Sequence, residues 1–161
     1  MVRLRDANAA DAGLIAGFVR ALAEYEKLLH EAVAIDADFA TVLADGHIGA
    51  LIAELDDRPV GMALWYYTFS TFTGRRGMYL EDLFVLPAYR NQGIGKRIFQ
   101  DLARRAQAMG CPRIEWSVLD WNAPSIAFYR SIGATPMDEW TVQRLDQAAI
   151  DNLAQKGLTD G

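Results

Sequence analysis

Cysteine and histidine are nearly missing from this chain: Cys111 is the single cysteine, and His30 and His47 are the two histidines among 161 residues. One thiol excludes an internal disulfide and fits a reducing compartment. Placed between Gly110 and Pro112, it reads as a small buried hydrophobe. So few soft ligands leave no recognisable zinc cluster. No apolar run approaches the roughly 20 residues that span a bilayer, so no membrane association is expected. A basic excess is lacking too. The 16 Lys and Arg against 21 Asp and Glu give a formal net charge of −5, and nonspecific nucleic-acid binding has no electrostatic basis. A small cationic partner suits that balance better. The start, Met1-Val2-Arg3-Leu4-Arg5-Asp6, has no apolar signal core, which sets a cytoplasmic expectation.

What is present reads as one globular domain over 1–161, with the tail after about residue 146 peripheral or dimer-associated. Hydrophobic residues make up 52% and charged residues 23%, enough for a proper core. Val2–Arg5 reads as a strand. Asp11–Leu29 carries Leu14, Ile15, Phe18, Leu22 and Tyr25 at helical spacing. Asp36–Leu43 reads as a second helix with Asp36 as N-cap. Ile48–Leu55 and Val60–Phe69 are strands joined by Asp56-Asp57-Arg58-Pro59. Met78–Leu86 is a strand. Ile94–Met109 is an amphipathic helix with Ile94, Ile98, Leu102 and Met109 on one face. Arg113–Leu119 is a strand, Asn122 caps a short helix ending at Gly133, and Thr135–Leu145 is a last strand or hairpin. The order β-α-α-β-β-β-α-β-α-β predicts a mixed α/β (α+β) fold, a mostly antiparallel sheet with helices on both faces.

The most informative stretch is Arg90-Asn91-Gln92-Gly93-Ile94-Gly95 with Lys96. A strand turning through glycines into a helix presents unpaired N–H groups and the positive end of the helix dipole, which suit a phosphate. Glycine lets the ligand approach the backbone closely. A Rossmann turn would need a third glycine where Ile98 stands, and a P-loop would need Ser or Thr where Arg97 stands. The same glycines would also serve a plain strand-to-helix reversal.

The flanks add to the loop. Tyr79-Leu80-Glu81-Asp82-Leu83-Phe84-Val85-Leu86-Pro87 precedes it, and Leu119-Asp120-Trp121-Asn122-Ala123-Pro124-Ser125-Ile126-Ala127-Phe128-Tyr129 follows. Together with Leu22-Ala23-Glu24-Tyr25-Glu26-Lys27-Leu28, they resemble the Gcn5-related N-acetyltransferase (GNAT) superfamily. Within it the chain looks most like the diamine acetyltransferase (spermidine/spermine N1-acetyltransferase) group, and there like the thialysine branch.

That resemblance implies the GNAT fold, acetyl-CoA as cofactor with coenzyme A as product, a small amine as substrate and a homodimer. It implies direct transfer in a ternary complex to thialysine or a short diamine, with a polyamine enzyme and a non-catalytic acyl-CoA-binding module as the alternatives. It places Glu81 as water-mediated general base and Tyr129 as the acid that protonates the departing thiolate. A phenol near pKa ~10 can donate to a thiolate whose acid sits near ~8.5, and an ammonium near ~10.4 must first lose its proton. Cofactor contacts fall on Arg90, Asn91, Gln92, Gly93, Ile94, Gly95, Lys96, Asn122 and Ser125. The pantetheine arm runs along Leu83, Phe84 and Val85 like an added strand, where a backbone N–H is the economical oxyanion donor. Tyr25, Glu26, Glu81 and Asp82 border the amine. From the strand period alone, Glu81 and Asp82 are expected on opposite faces. Ser70 stands where the polyamine acetylases carry aspartate, which favours short substrates. Ser117 and His47 lack the third partner and elbow that covalent catalysis needs.

Overall fold

The computed structural model describes residues 1–156. The chain divides into two compact units, Met1–Ala123 and Pro124–Gly161; of the single domain expected over 1–161, residues 157–161 lie outside the described residues. In the first unit, β1 (Val2–Asp6), β2 (Gly49–Leu55), β3 (Arg58–Ser70), β4 (Arg75–Val85) and β5 (Ile114–Glu115) form one sheet in that order. The first three pairings are antiparallel and the last is parallel. Three helices, α1 (Ala12–Tyr25), α2 (Asp36–Ala44) and α3 (Ile94–Ala108), complete the unit. The expected mixed α+β sheet is therefore present.

The pleat explains the two core layers. On one face Ala50 and Ile52 of β2, Met62 and Leu64 of β3 and Phe84 of β4 pack with Ile15 and Phe18 of α1. Side chains alternate along a strand, so Leu51, Ala53 and Ala63, all fully buried, point the other way. α3 covers that second face. Its Ile94, Ile98 and Leu102 recur at helical spacing and are at most 1% exposed, while its Arg105 guanidinium lies 5.0 Å over the Trp65 ring. At the sheet margin, buried Glu54 accepts from Arg3 Nη2 at 2.6 Å and Arg5 Nε at 2.8 Å. Arg5 also reaches Asp11 at 2.8 Å, so the carboxylate is not left unpaired. Those guanidiniums hold both the Glu54 and Asp11 carboxyls below their ordinary range.

Several boundaries differ from expectation. α1 stops at Tyr25, because Glu26 caps it and Lys27 takes a left-handed φ of 60°. The N-cap of α2 is Ile35, whose N–H is held by the Asp38 carboxylate at 2.8 Å, and Asp36 is inside the helix. Asp56 and Asp57 alone make the hairpin turn, both at positive φ as a two-residue loop demands, and Arg58-Pro59 already belong to β3. Met109 is 45% exposed, and Phe99 and Ala106 fill the α3 core instead. Cys111 is half-buried. The strand expected over Arg113–Leu119 shrinks to two residues. α4 (Ala123–Ser131), all but its first residue in the second unit, arises as expected, with Gly133 at φ 94° just past its end. The strand expected over Thr135–Leu145 does not form; α5 (Gln147–Lys156) follows instead, its start capped by Asp146 accepting from Ala149 N–H at 2.8 Å.

Gly49 opens β2 directly across from Trp65. A Cβ there would clash with the indole ring, and the buried ring has the Arg105 guanidinium over its face. Gly49→Ala should therefore cost about 1–3 kcal/mol by overpacking, a fall of roughly 2–12 °C in Tm in a thermal melt. An unchanged Tm would mean that the indole has room to move.

Candidate active site

β4 carries one residue more than β3 opposite it. Leu64 pairs with Asp82 and Trp65 with Leu80, so Glu81 is left between them as a bulge. A bulge breaks the period of two and re-aims side chains. The expectation that Glu81 and Asp82 face opposite ways is corrected by this register. Asp82, opposite Leu64, lies on the α1 face, and its carboxyl feels both Glu81 and Glu26. Glu81 in turn raises the Tyr66 phenol, which is on that same face, after burial and ahead of Tyr79. The aromatic pair Tyr66 and Tyr79, with ring centroids 5.3 Å apart, lies next to these acids. Sequence reasoning passed over it, although the run Trp65-Tyr66-Tyr67 was its signal.

The electrostatics are unusual for a small cluster. Burial first, then the charges of Glu81 and Glu26, push Asp82 up to about 6. Burial alone raises Glu26. Glu26 is also the C-cap of α1, where the helix dipole favours a cation rather than an anion. Among the described residues, none of these three carboxylates is paired with a Lys, Arg or His side chain. What the cluster lacks is a positive charge, and a ligand ammonium would supply it.

On its other side β4 pairs with β5 only at Met78–Ile114 and Tyr79–Glu115. From Leu80 to Val85 no strand among the described residues continues that edge, so the backbone of Leu83, Phe84 and Val85 is left with a strand-like margin. The chain then runs through a short turn at Pro87–Tyr89 into the glycine loop. Asn91 and Gly93 take φ of 62° and 79°, and Gly93 is the N-cap of α3 with no side-chain cap. The first-turn N–H groups of α3 are therefore not met by a capping side chain, as an anion cradle requires. Ile94 is buried beneath them, while Asn91, Gln92 and Lys96 are exposed around them.

Arg90 does not extend with its loop. Its Nε donates to the Val85 carbonyl at 2.8 Å, and its guanidinium lies 4.5 Å over the Tyr25 ring and 5.3 Å over Phe84. The Tyr25 hydroxyl donates to Asn122 Oδ1 at 3.1 Å, and Asn122 is buried. Trp121 stands 6.0 Å from Tyr25, with Lys27 Nζ 5.0 Å over its ring. Tyr25 thus joins Arg90 to Asn122. Lys27 and Trp121 were not singled out from sequence, although Trp121 stood inside the quoted Asp-Trp-Asn run. On α4 of the second unit, Ser125 and Tyr129 are four residues apart, hence on one helix face. Ser117 Oγ shares a hydrogen bond with the Tyr79 hydroxyl at 3.2 Å, and His47 is exposed in a turn. No group able to hold a metal occurs among the described residues.

Ser70 is not near this cluster in its own chain. Buried at the tip of the β3–β4 hairpin, it accepts from Thr73 N–H at 3.3 Å. Six residues of strand separate it from Leu64, about 20 Å at the usual rise. A missing anion at Ser70 therefore bears on the Asp82 cluster far less than the resemblance implied.

The acetyltransferase (GNAT) family model matches residues 19–134 of the chain. The thialysine N-epsilon-acetyltransferase of Mus musculus is 38% identical over 168 residues, covering 94% of this chain and 96% of that protein. Spermidine/spermine N(1)-acetyltransferase-like protein 1 of Homo sapiens is 30% identical over 167 residues, covering 94% of this chain but 24% of its own length. Among solved structures, an integron cassette protein from the mobile metagenome of V. cholerae superposes with a TM-score of 0.79 at 25% identity, covering 96% of this chain and 98% of the other.

The Asp82 environment has a consequence that is independent of any ligand. Folding raises its pKa from the ordinary 3.8 to about 6, so the native state favours the protonated acid. That contribution is whole below about pH 4 and is lost as pH rises through about 6. Asp82→Asn should therefore stabilise the protein at pH 8, by up to about 3 kcal/mol, and leave it unchanged at pH 4. Denaturant titrations from pH 4 to 8 read this difference. A difference that does not vary with pH would place the carboxyl in water.

Proposed function

The chain belongs to the acetyltransferase (GNAT) family and is an N-acetyltransferase, and we propose that its substrate is one primary amine of thialysine or short-diamine type. The observation that carries this is the trio Glu26, Glu81 and Asp82, carboxylates on one side of the sheet with no side-chain cation among them. A single ammonium matches such a site, and thialysine is what the mouse relative is named for acetylating. Polyamines are the second reading, which the human relative's name favours.

Acetyl-CoA, the family's donor, brings an acetyl thioester whose carbon is the electrophile and whose thiolate leaves. The uncapped α3 start, Gly93 and the open margin of β4 are the donors that fit its phosphates and pantetheine arm. Arg90, Asn91, Gln92, Gly93, Ile94, Gly95, Lys96, Asn122 and Ser125 are its proposed contacts, with Leu83, Phe84 and Val85 along the arm. Glu26 and Asp82 border the amine, and the resemblance adds Tyr25 to them. Glu81, exposed at its bulge, takes the ammonium proton through water, and a neutral amine then attacks. Backbone N–H groups of Leu83–Val85 hold the charge that gathers on the carbonyl oxygen. Tyr129 gives a proton to the thiolate, and the second proton that the attacking nitrogen sheds as the intermediate collapses restores the phenol through water, so the amide and coenzyme A leave neutral. Both ligands are present together, with no acyl-enzyme, since neither Ser117 nor Cys111 has a base beside it in this scheme. One acetyltransferase domain over 1–161, acting as a cytoplasmic homodimer, completes the proposal, and light scattering on the purified chain tests the dimer.

The deciding experiment is acetyl-CoA turnover against a panel of thialysine, short diamines and spermine. Higher kcat/KM for thialysine or a short diamine is expected. A preference for spermine would replace the substrate, and no turnover with any amine would leave an acyl-CoA-binding module. Two variants test the chemistry. Tyr129→Phe should lower kcat by roughly 10–10⁴-fold while coenzyme A affinity holds; wild-type kcat from pH 6 to 10, with chemistry rate-limiting, would return Tyr129 to packing. Glu81→Gln should lose most turnover near neutrality and regain part of it at high pH, where free amine is abundant.

A further inference from the structure

We propose that Tyr25 is a positioning residue of the coenzyme A side rather than a contact of the amine, holding Arg90 at the glycine loop and Asn122 at the residue before α4. The inference rests on the acyl-CoA reading above and refines one residue's place in it. The resemblance assigns Tyr25 to the amine pocket with its neighbour Glu26. The geometry points its two ends elsewhere. Its ring face carries the Arg90 guanidinium at 4.5 Å, and its hydroxyl donates to Asn122 Oδ1 at 3.1 Å. Arg90 begins the glycine loop before α3, and Asn122 immediately precedes α4. They are 32 positions apart in sequence, and Tyr25 spans them from a third element, the last turn of α1.

Other contacts make that span rigid. Arg90 is fixed at the far side by Val85, whose carbonyl accepts from its Nε at 2.8 Å. Val85 ends the very strand whose margin is proposed to bind the pantetheine arm. Trp121, next to Asn122, meets Tyr25 at 6.0 Å and carries Lys27 at 5.0 Å on its ring. The left-handed turn at Lys27 is what brings that amine back over the indole. The end of α1 therefore grips the segment 121–122 through two side chains, Tyr25 and Lys27, on either side of Glu26.

A guanidinium stacked on a phenol keeps its charge while losing its freedom. Arg90 is thereby held between the Val85 carbonyl and the Tyr25 ring instead of sampling solvent, and binding of an anion beside it has less ordering to oppose it. Asn122, oriented by the phenol, is fixed in the same way. Glu26 is left as the residue of this turn that serves the ammonium.

Calorimetry with coenzyme A alone, together with steady-state kinetics on the full chain, tests this. Tyr25→Phe keeps the ring and removes one hydrogen bond, so the coenzyme A Kd should rise about 2–10-fold. Tyr25→Leu also removes the stacking face and should weaken binding by roughly a further 2–10-fold. At saturating acetyl-CoA the amine KM of Tyr25→Phe should stay within about twofold of wild type. In a double-mutant cycle, Tyr25→Phe should cost nothing more once Asn122→Ala is present. A folded Tyr25→Phe protein with unchanged coenzyme A affinity and a raised amine KM would overturn the proposal and return Tyr25 to the amine. If wild type itself fails to bind coenzyme A, the acyl-CoA reading falls, and this inference falls with it. Tyr25→Phe decides the matter even where Tyr25→Leu does not fold.

Discussion

β4 is the strand on which everything else depends, because it serves two partners that cannot both be satisfied along its length. On one margin it is zipped to β3 from Val85 to Arg75, with one surplus residue at Glu81. On the other it meets β5 for only two residues before the pair parts. A bulge increases twist and turns the strand, and the place where β4 carries it adjoins the place where β5 leaves. The bulge exposes a carboxylate in the middle of an otherwise buried strand. The parting leaves Leu83–Val85 with backbone groups facing outward. One local irregularity thus creates both a place for a proton acceptor and a place for an extended ligand.

The cost of that arrangement is electrostatic. Burial of Asp82 in the presence of Glu81 and Glu26 raises its pKa into the physiological range, and a carboxylate whose charge is disfavoured by the fold destabilises the fold at neutral pH. Elsewhere the same chain handles buried charge with care: Glu54 has two guanidiniums, and Arg105 has Asp101 and Asp6. Unpaired acids beside paired ones point to a site completed by something outside the chain. Such local conflicts are expected where a protein binds rather than where it merely folds.

The glycine loop was legible because its requirements are local: Gly93 must take φ 79° and the helix after it must begin without a cap. The faces of α1 and α3 were legible through Ile15, Phe18, Ile98 and Leu102, whose spacing has one interpretation. The bulge was not, since nothing in Tyr79-Leu80-Glu81-Asp82 says that Leu64 will skip a partner; register belongs to two strands at once. Strand ends failed for the same reason. Trp116 and Val118 have strand-like spacing, yet a strand exists only where a neighbour accepts it, and β4 stops accepting after Tyr79. Trp140, Val142 and Leu145 likewise suit a strand by composition, but they are 57–81% exposed and pair with no sheet among the described residues. Site membership by resemblance carried residue identities, and it could not tell which way Tyr25 and Arg90 turn.

The direction in which Arg90 turns sets how the site is wired. Arg90 was expected among the loop's donors, and its guanidinium instead lies between the end of β4 and the end of α1. That cation pairs with rings and a carbonyl rather than with Glu26 or Asp82. Had it formed a salt bridge with either acid, the cluster would have lost the negative charge that an ammonium needs, and the loop would have lost its cation. Stacking on Tyr25 keeps the two charges apart without neutralising either, because the π face attracts a guanidinium without carrying a formal charge. The aromatic ring therefore holds a guanidinium without a carboxylate, and the acids at the bulge keep their charge for a ligand.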